Sequence, residues 1–237
     1  MSAGSGSRCI MWLFKSVFAP DQLPVIAGEG VYLRVPQSSD FQAWRDLRAE
    51  SRTFLTPWEP VWPSDDLTRG AYRRRMRRYA RDMMADEAYP LFLFRSHDHA
   101  LVGGLTLSNI RRGVCQAASL GYWMGERYAG QGYMSAGVAA MLPLAYDVLH
   151  LRRIEAACMT HNTPSIRLLE RLGFVREGYA RQYLCINGIW EDHLLFARLK
   201  GDCPKPHTAR GSIDGFQDDL EDGLGLQRRS GTERVRP

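Results

Sequence analysis

Leu120-Gly121-Tyr122-Trp123-Met124-Gly125-Glu126-Arg127-Tyr128-Ala129-Gly130-Gln131-Gly132-Tyr133-Met134 is the stretch on which the fold turns. It begins apolar and strand-like, passes through a glycine-rich turn, and opens into a helical pattern over 132–149. Glycines let a backbone approach a ligand closely, and the free N–H groups of a helix start bind phosphate or pyrophosphate. A glycine pair before a helix is by itself a weak signal. A dinucleotide-binding βαβ unit would need a third small residue and an acid about 20 positions on, roles that Ser135 and Glu155 could fill. The residues upstream argue against that unit. Stretches 90–97, 101–109 and 115–124 read as strands joined by the turn signals Asp98 and Arg112-Gly113, an antiparallel meander where that fold would have its first strand.

Further upstream, 31–35 reads as a strand, and Ser39-Asp40 can cap a helix whose apolar positions Phe41, Trp44, Leu47 and the Arg48 stem recur at helical spacing. A loop rich in Pro and Trp follows over 54–63. The next helix, 66–84, carries Arg69, Arg73, Arg74, Arg75, Arg77, Arg78 and Arg81. Downstream, 153–159 is a strand, 163–172 a helix, and 174–184 with 189–199 a hairpin around Asn187-Gly188. The pattern is α+β, in α/β/α layers: a mixed, mostly antiparallel sheet of about seven strands flanked by helices, forming one domain over 28–200.

Outside it, 1–27 reads as a flexible leader with a short apolar segment broken by Lys15, too short to span a bilayer. Residues 201–237 read as a disordered tail with the acidic run Asp218, Asp219, Glu221, Asp222. The 237 residues are 45% hydrophobic and 24% charged, which excludes collagenous, fully disordered and membrane-spanning classes. A net charge of +5 permits an anionic ligand without pointing to nucleic acid. The five cysteines are odd in number and lack a C-x-x-C pair, which fits a reducing, cytoplasmic location. His97, His99, His150, His161 and His207 show no metal-ligand spacing, so no metal is assigned.

Arg127-x-x-Gly130-x-Gly132 resembles the acetyl-coenzyme A pyrophosphate loop of the GNAT N-acetyltransferase superfamily, and Asn162-x-x-Ser165 followed by 168–174 (LLERLGF) resembles its second motif. The resemblance covers about 31–199. Leu55-x-Pro57-Trp58-Glu59-Pro60, Glu177-Gly178-Tyr179-Ala180 and Asn187-Gly188-x-Trp190-x-Asp192-His193 are similar to the bacterial ribosomal-protein-alanine N-acetyltransferases within it. The resemblance implies acetyl-coenzyme A as cosubstrate, held by Tyr122, Trp123, Met124, Arg127, Ala129, Gly130, Gln131, Gly132, Tyr133, Met134, Asn162, Ser165 and Leu169. Residues 127–132 would present backbone donors and one guanidinium to the pyrophosphate. A backbone N–H near Trp123 or Met124 would polarise the thioester carbonyl; the lesser reading of Tyr122, Trp123 and Met124 is plain strand packing. Asn162 would contact pantetheine, cap the helix before Thr163-Pro164, or do both.

Ser165 is the expected proton donor to the departing coenzyme A thiolate, with Tyr179 and Tyr183 in reserve. It equally suits a first-turn serine satisfying the backbone. Cys158 opens a second route through an acyl-cysteine, but a cysteine in an apolar strand is usually buried and unactivated. Direct attack by the amine in a ternary complex is the simpler scheme. Glu59 is the first candidate for orienting or deprotonating that amine, ahead of Asp192 and His193, and it also suits a plain tie within its loop. The implied substrate is the α-amino group of a protein, foremost a ribosomal one. The alternatives are a small amine as acceptor, or a non-catalytic RNA-associated protein. The arginine helix, Arg69 to Arg81, reads as a solvated face, as a contact for an RNA-rich particle or as an attraction for the polyanionic cofactor. A monomer or homodimer is expected.

Overall fold

A computed structural model describes residues 25–202; the leader up to residue 24 and the tail from 203 lie outside them. The chain builds one eight-stranded sheet. In sequence order the strands are β1 (Ile26–Gly28), β2 (Val31–Arg34), β3 (Tyr89–Arg95), β4 (Leu101–Arg111), β5 (Ala117–Met124), β6 (Arg153–Met159), β7 (Val175–Ile186) and β8 (Ile189–Leu199). They lie side by side in the order β1-β2-β3-β4-β5-β6-β8-β7. Every pair is antiparallel except β5 with β6. The expected seven strands are joined by an eighth, β1, and the sheet begins at Ile26. Three residues offer too little alternation to be read from sequence, and β1 is fixed by its ladder to β2 instead.

The helices are α1 (Phe41–Glu50), α2 (Arg52–Leu55), α3 (Arg69–Met84), α4 (Tyr133–Pro143) and α5 (Thr163–Arg171). Register assigns them to faces. Tyr122 on β5 lies opposite Leu105 and so shares a face with Leu91 and Leu93, the face that α4 covers by setting Gly137 against Leu93. Trp123, one residue on, lies opposite Gly104 and Phe92 on the other face. There α1 and α3 close the layer through Phe41, Trp44 and Tyr72, the rings of Phe41 and Trp44 lying tilted against that of Tyr72 with centres 5.4 and 5.0 Å apart. The helical run over 132–149 is interrupted: α4 ends at Pro143 and a π-turn, Leu144–Val148, takes over. Proline lacks the N–H that would continue the α-helical ladder there.

The parallel pair decides where a ligand can enter. Pairing between β5 and β6 covers only Ala117–Ser119 with Arg153–Glu155. Beyond it β6 stays paired to β8 as far as Met159, and β5 to β4 as far as Met124. The backbone edge of residues 120–124 that faces β6 therefore has no ladder partner, and the sheet opens into a V. Among the described residues no helix is long and apolar enough to cross a membrane.

Candidate active site

The glycine turn stands beside the mouth of this V. A short 3-10 turn, Glu126–Tyr128, leads to Gly130 and Gly132, which have φ of 74° and 86°. That left-handed backbone favours glycine. A Cβ at either would meet nothing within 4 Å, so the space above both is open. Gly132 is also the N-cap of α4, and no side chain caps that helix. Its first N–H groups are thus left for an outside acceptor, reinforced by the helix dipole. The turn is braced from below: Gln131 Nε2 donates to the Arg127 carbonyl at 2.7 Å, and the Glu126 amide donates to the fully buried Ser51 hydroxyl at 2.9 Å. Arg127 is exposed and lies 3.4 Å from Glu50, a loose surface pair that leaves its guanidinium free to turn.

Inside the V, α5 presents its first turn to β5. Asn162 accepts from the Ser165 amide at 3.2 Å, so its cap role is present. Ser165 Oγ lies 2.6 Å from the Tyr122 hydroxyl, spanning the gap between the strands. Burial pushes the Tyr122 phenol well above its ordinary value, more than the Ser165 contact lowers it. Cys158, on β6, joins the same cluster through Ser165, and burial pushes its thiol up to about 11. A thiol that keeps its proton at neutral pH is a weak nucleophile.

Not every expected residue serves as the sequence implied. Leu169, on the inner side of α5, is completely buried, and Met134 is 6% exposed, so both side chains belong to the core. Tyr133 and Ala129 are half-buried, and the Tyr133 hydroxyl lies 3.5 Å from Arg95. Trp123 turns away from the V toward α1, edge-on to Phe92. Met124 shares the Tyr122 face, its sulfur close to Gly103.

Glu59 makes the tie within its loop that the sequence also allowed. Its carboxylate takes a two-pronged ion pair from Arg48 at 2.7 and 2.8 Å and a third hydrogen bond from Trp62 Nε1 at 2.7 Å. The Arg48 guanidinium lies over the Trp62 and Trp123 rings at 4.1 and 5.1 Å. A carboxylate so occupied holds its neighbours in place through charge-assisted hydrogen bonds. The Glu59 carbonyl also accepts from the Asn187 amide at the hairpin turn. Glu59 thus ties the loop to α1 and to the β7–β8 tip. Arg48, read only as an apolar stem, is the residue that sequence reasoning missed; an arginine on the buried side of an amphipathic helix was the available signal.

The other reserves are engaged elsewhere. Asp192 accepts from the Tyr179 hydroxyl and from the Gln182 amide, contacts that hold its carboxyl below the usual range. His193 is buried and contacts the Glu191 carbonyl, with Tyr183 edge-on to its ring. At the rim, Trp58 lies against His161 with ring centres 5.4 Å apart. Among the described residues no group of three or more His, Cys, Asp or Glu is placed to hold a metal.

A sheet opened at one parallel pair, beside an uncapped helix start with two left-handed glycines, defines an acyltransferase site of the GNAT type. The Acetyltransferase (GNAT) domain family matches residues 31–175, and the chain belongs to that family. It is 38% identical to the [ribosomal protein uS5]-alanine N-acetyltransferase of Escherichia coli over 165 residues, 69% of this chain and 85% of that one. It is 34% identical to the probable N-acetyltransferase YjcK of Bacillus subtilis, over 75% of this chain and 98% of that one. The fold superposes on the ribosomal-protein-S5-alanine acetyltransferase of Vibrio fischeri with a TM-score of 0.71 at 30% identity, covering 78% of this chain and all of that one. It also matches Mycobacterium smegmatis RimJ, whose structure is a complex with CoA-disulfide, with a TM-score of 0.70 at 30% identity over 76% of this chain and 88% of that one. The chain is an N-acetyltransferase of GNAT type, and its reading as a non-catalytic RNA-associated protein falls.

Proposed function

We propose that this enzyme transfers the acetyl group of acetyl-coenzyme A to the N-terminal α-amino group of a protein, foremost a ribosomal protein. The observation that carries the chemistry is the V with Tyr122 and Ser165 joined across it at 2.6 Å, next to the open Gly130–Gly132 turn. The pyrophosphate would sit on the free amides at the start of α4, with Arg127 swinging in from the side. The pantetheine arm would lie along the unpartnered edge of residues 120–124, and an N–H near Trp123 or Met124 would face the thioester oxygen.

An α-amino group has an ordinary pKa near 7.7 to 8.0, so roughly a tenth of it is neutral at pH 7, whereas a lysine near 10.4 would need about 4.6 kcal/mol. Solvent suffices to collect the proton, in keeping with a Glu59 that is otherwise engaged. The neutral amine attacks the acetyl carbon, the C–S bond breaks with its electron pair on sulfur, and one nitrogen proton leaves to solvent. Sulfur takes its proton from Ser165, which solvent replenishes. The amine would enter past the loop carrying Trp58 and the hairpin tip at Asn187.

The ribosomal assignment draws on the 38% identical relative named for uS5, and on α3. There Arg69 and Arg75 lie over Phe41 and Trp44 and Arg74 pairs with Asp65, while Arg73, Arg77 and Arg78 are exposed and enter no ion pair among the described residues. Such a face suits a partner rich in phosphate.

The test incubates the purified chain with acetyl-coenzyme A and, separately, alanine-starting peptides, the same peptides blocked at the N-terminus, and small amines, read by mass spectrometry. Acetylation of only the free-N-terminal peptides is expected; acetylation of small amines alone would move the assignment to a small-molecule acceptor. Ser165→Ala should lower kcat by about 10²- to 10⁴-fold with little change in the Kd for acetyl-coenzyme A.

A further inference from the structure

The contact between Tyr122 and Ser165 has a direction, and the direction gives Tyr122 a task. Either oxygen could donate at 2.6 Å. Ser165 is the polar partner of the phenol among the described contacts. Were the phenol to accept, its own proton would be left without a protein acceptor among the described contacts. Its raised pKa keeps that proton on the oxygen throughout the neutral range. Ser165 is equipped for the opposite part. Its amide is anchored by Asn162 Oδ1, and its hydroxyl can accept one bond on a lone pair and still donate one. The neighbouring Cys158 thiol holds its own proton and accepts weakly, so it competes poorly for the serine proton against a sulfur that is becoming a thiolate.

We propose that Tyr122 is a positioning residue for the acetyl transfer: by donating its hydrogen bond to Ser165 Oγ it turns the serine proton into the V, toward the coenzyme A sulfur. A donor that is itself receiving a hydrogen bond is polarised and donates more strongly. Tyr122 gives up no proton in the step. The C–S bond breaks with its pair on sulfur, the proton that reaches sulfur comes from Ser165, and solvent restores it. This inference rests on the reading of Ser165 as the donor to sulfur, and the experiment separates the two.

Coenzyme A carrying 13C next to its sulfur is bound to the full chain and its thiol is titrated by NMR in the wild type, Tyr122→Phe, Ser165→Ala and the double variant. This readout uses coenzyme A alone and is indifferent to the acceptor. A donor to the thiolate lowers the thiol pKa, so the bound thiol should titrate lowest in the wild type, higher in Tyr122→Phe, and highest and equal in Ser165→Ala and the double variant. In turnover, Tyr122→Phe should cost about tenfold in kcat with unchanged KM, the scale of one hydrogen bond, and should cost nothing further once Ser165 is alanine. If the thiol of Tyr122→Phe titrates as in the wild type while that of Ser165→Ala rises, Tyr122 does not act through Ser165 and the inference fails alone. If the two kcat losses multiply, it fails likewise. If no variant moves the thiol, Ser165 is not the donor, and both readings fall.

Discussion

Two loops flank the cleft, and they make their cases in opposite ways. The turn at Gly130 and Gly132 is marked by what it lacks: no atom within 4 Å of where a side chain would begin, and no cap on the helix behind it. The loop at Trp58 to Trp62 is marked by saturation, with three donors on one carboxylate and a guanidinium over two indoles. Both carry residue types that suit catalysis. Unspent hydrogen-bonding capacity facing open space, more than residue type, separates a place that receives a ligand from one that holds the scaffold together.

The sharpest way to break this contrast is to fill the empty loop. Gly132→Glu puts a side chain and a negative charge where the pyrophosphate is assigned, and acetyl-coenzyme A affinity should fall by about 100-fold or more by calorimetry, roughly 3 kcal/mol. The positive φ should cost about 1–2 kcal/mol of stability in addition, leaving a folded protein by circular dichroism. Normal affinity in that folded variant would put the phosphates elsewhere.

The saturated loop should answer in the other currency. Glu59→Gln leaves the Arg48 guanidinium, only 8% exposed, without its countercharge, and unfolding should become easier by about 3 kcal/mol in denaturant titration. Measured well below its melting temperature, the variant should keep kcat within a few-fold. A folded Glu59→Gln with kcat down 100-fold would make the carboxylate the base after all.

Cys158 supplies the smallest effects. Its thiol, raised to about 11 by burial, should resist iodoacetamide at pH 8, with labelling accelerating only as pH climbs past 10. Mass mapping should meanwhile find the exposed Cys115 and Cys185 labelled first. Cys158→Ala should retain turnover within a few-fold and lose about 1 kcal/mol of stability. A folded but inactive Cys158→Ala would instead establish an acyl-cysteine route.

Elements with strong local signals were legible in the chain. Strand β6 falls on its expected bounds, and α5 starts at Thr163 behind the Asn162 cap, because a period-two run and a capped, amphipathic helix are local properties. The glycine turn was equally readable, since positive φ narrows the choice of residue. The remainder depended on partners outside each local run. The three residues of β1 are strand only because β2 lies beside them. Leu169 sits in a motif that reads as a ligand contact, yet helical phase turns it inward. Glu59 looked available until Arg48, eleven positions earlier, was seen folded onto it. Tyr122 and Ser165 were each named, but nothing local places them 2.6 Å apart across 43 residues.

The three-rung pairing of β5 with β6 has a mechanical consequence. The strands β1–β5 and the strands β6, β8 and β7 meet in the ladder at Ala117–Ser119 with Arg153–Glu155. Close to that end the π-turn clamps the end of β8, with the Tyr146 hydroxyl donating to the Arg198 carbonyl and Lys200 Nζ to the Tyr146 carbonyl, each at 3.0 Å. Away from it the two halves are bridged by the hydrogen bonds of Tyr122 to Ser165 and Asn187 to Glu59 and by the Trp58–His161 ring contact. The sheet is thus built like a pair of tongs, riveted at one end and sprung at the other, and a molecule lodged between the blades becomes part of what holds them at their working separation.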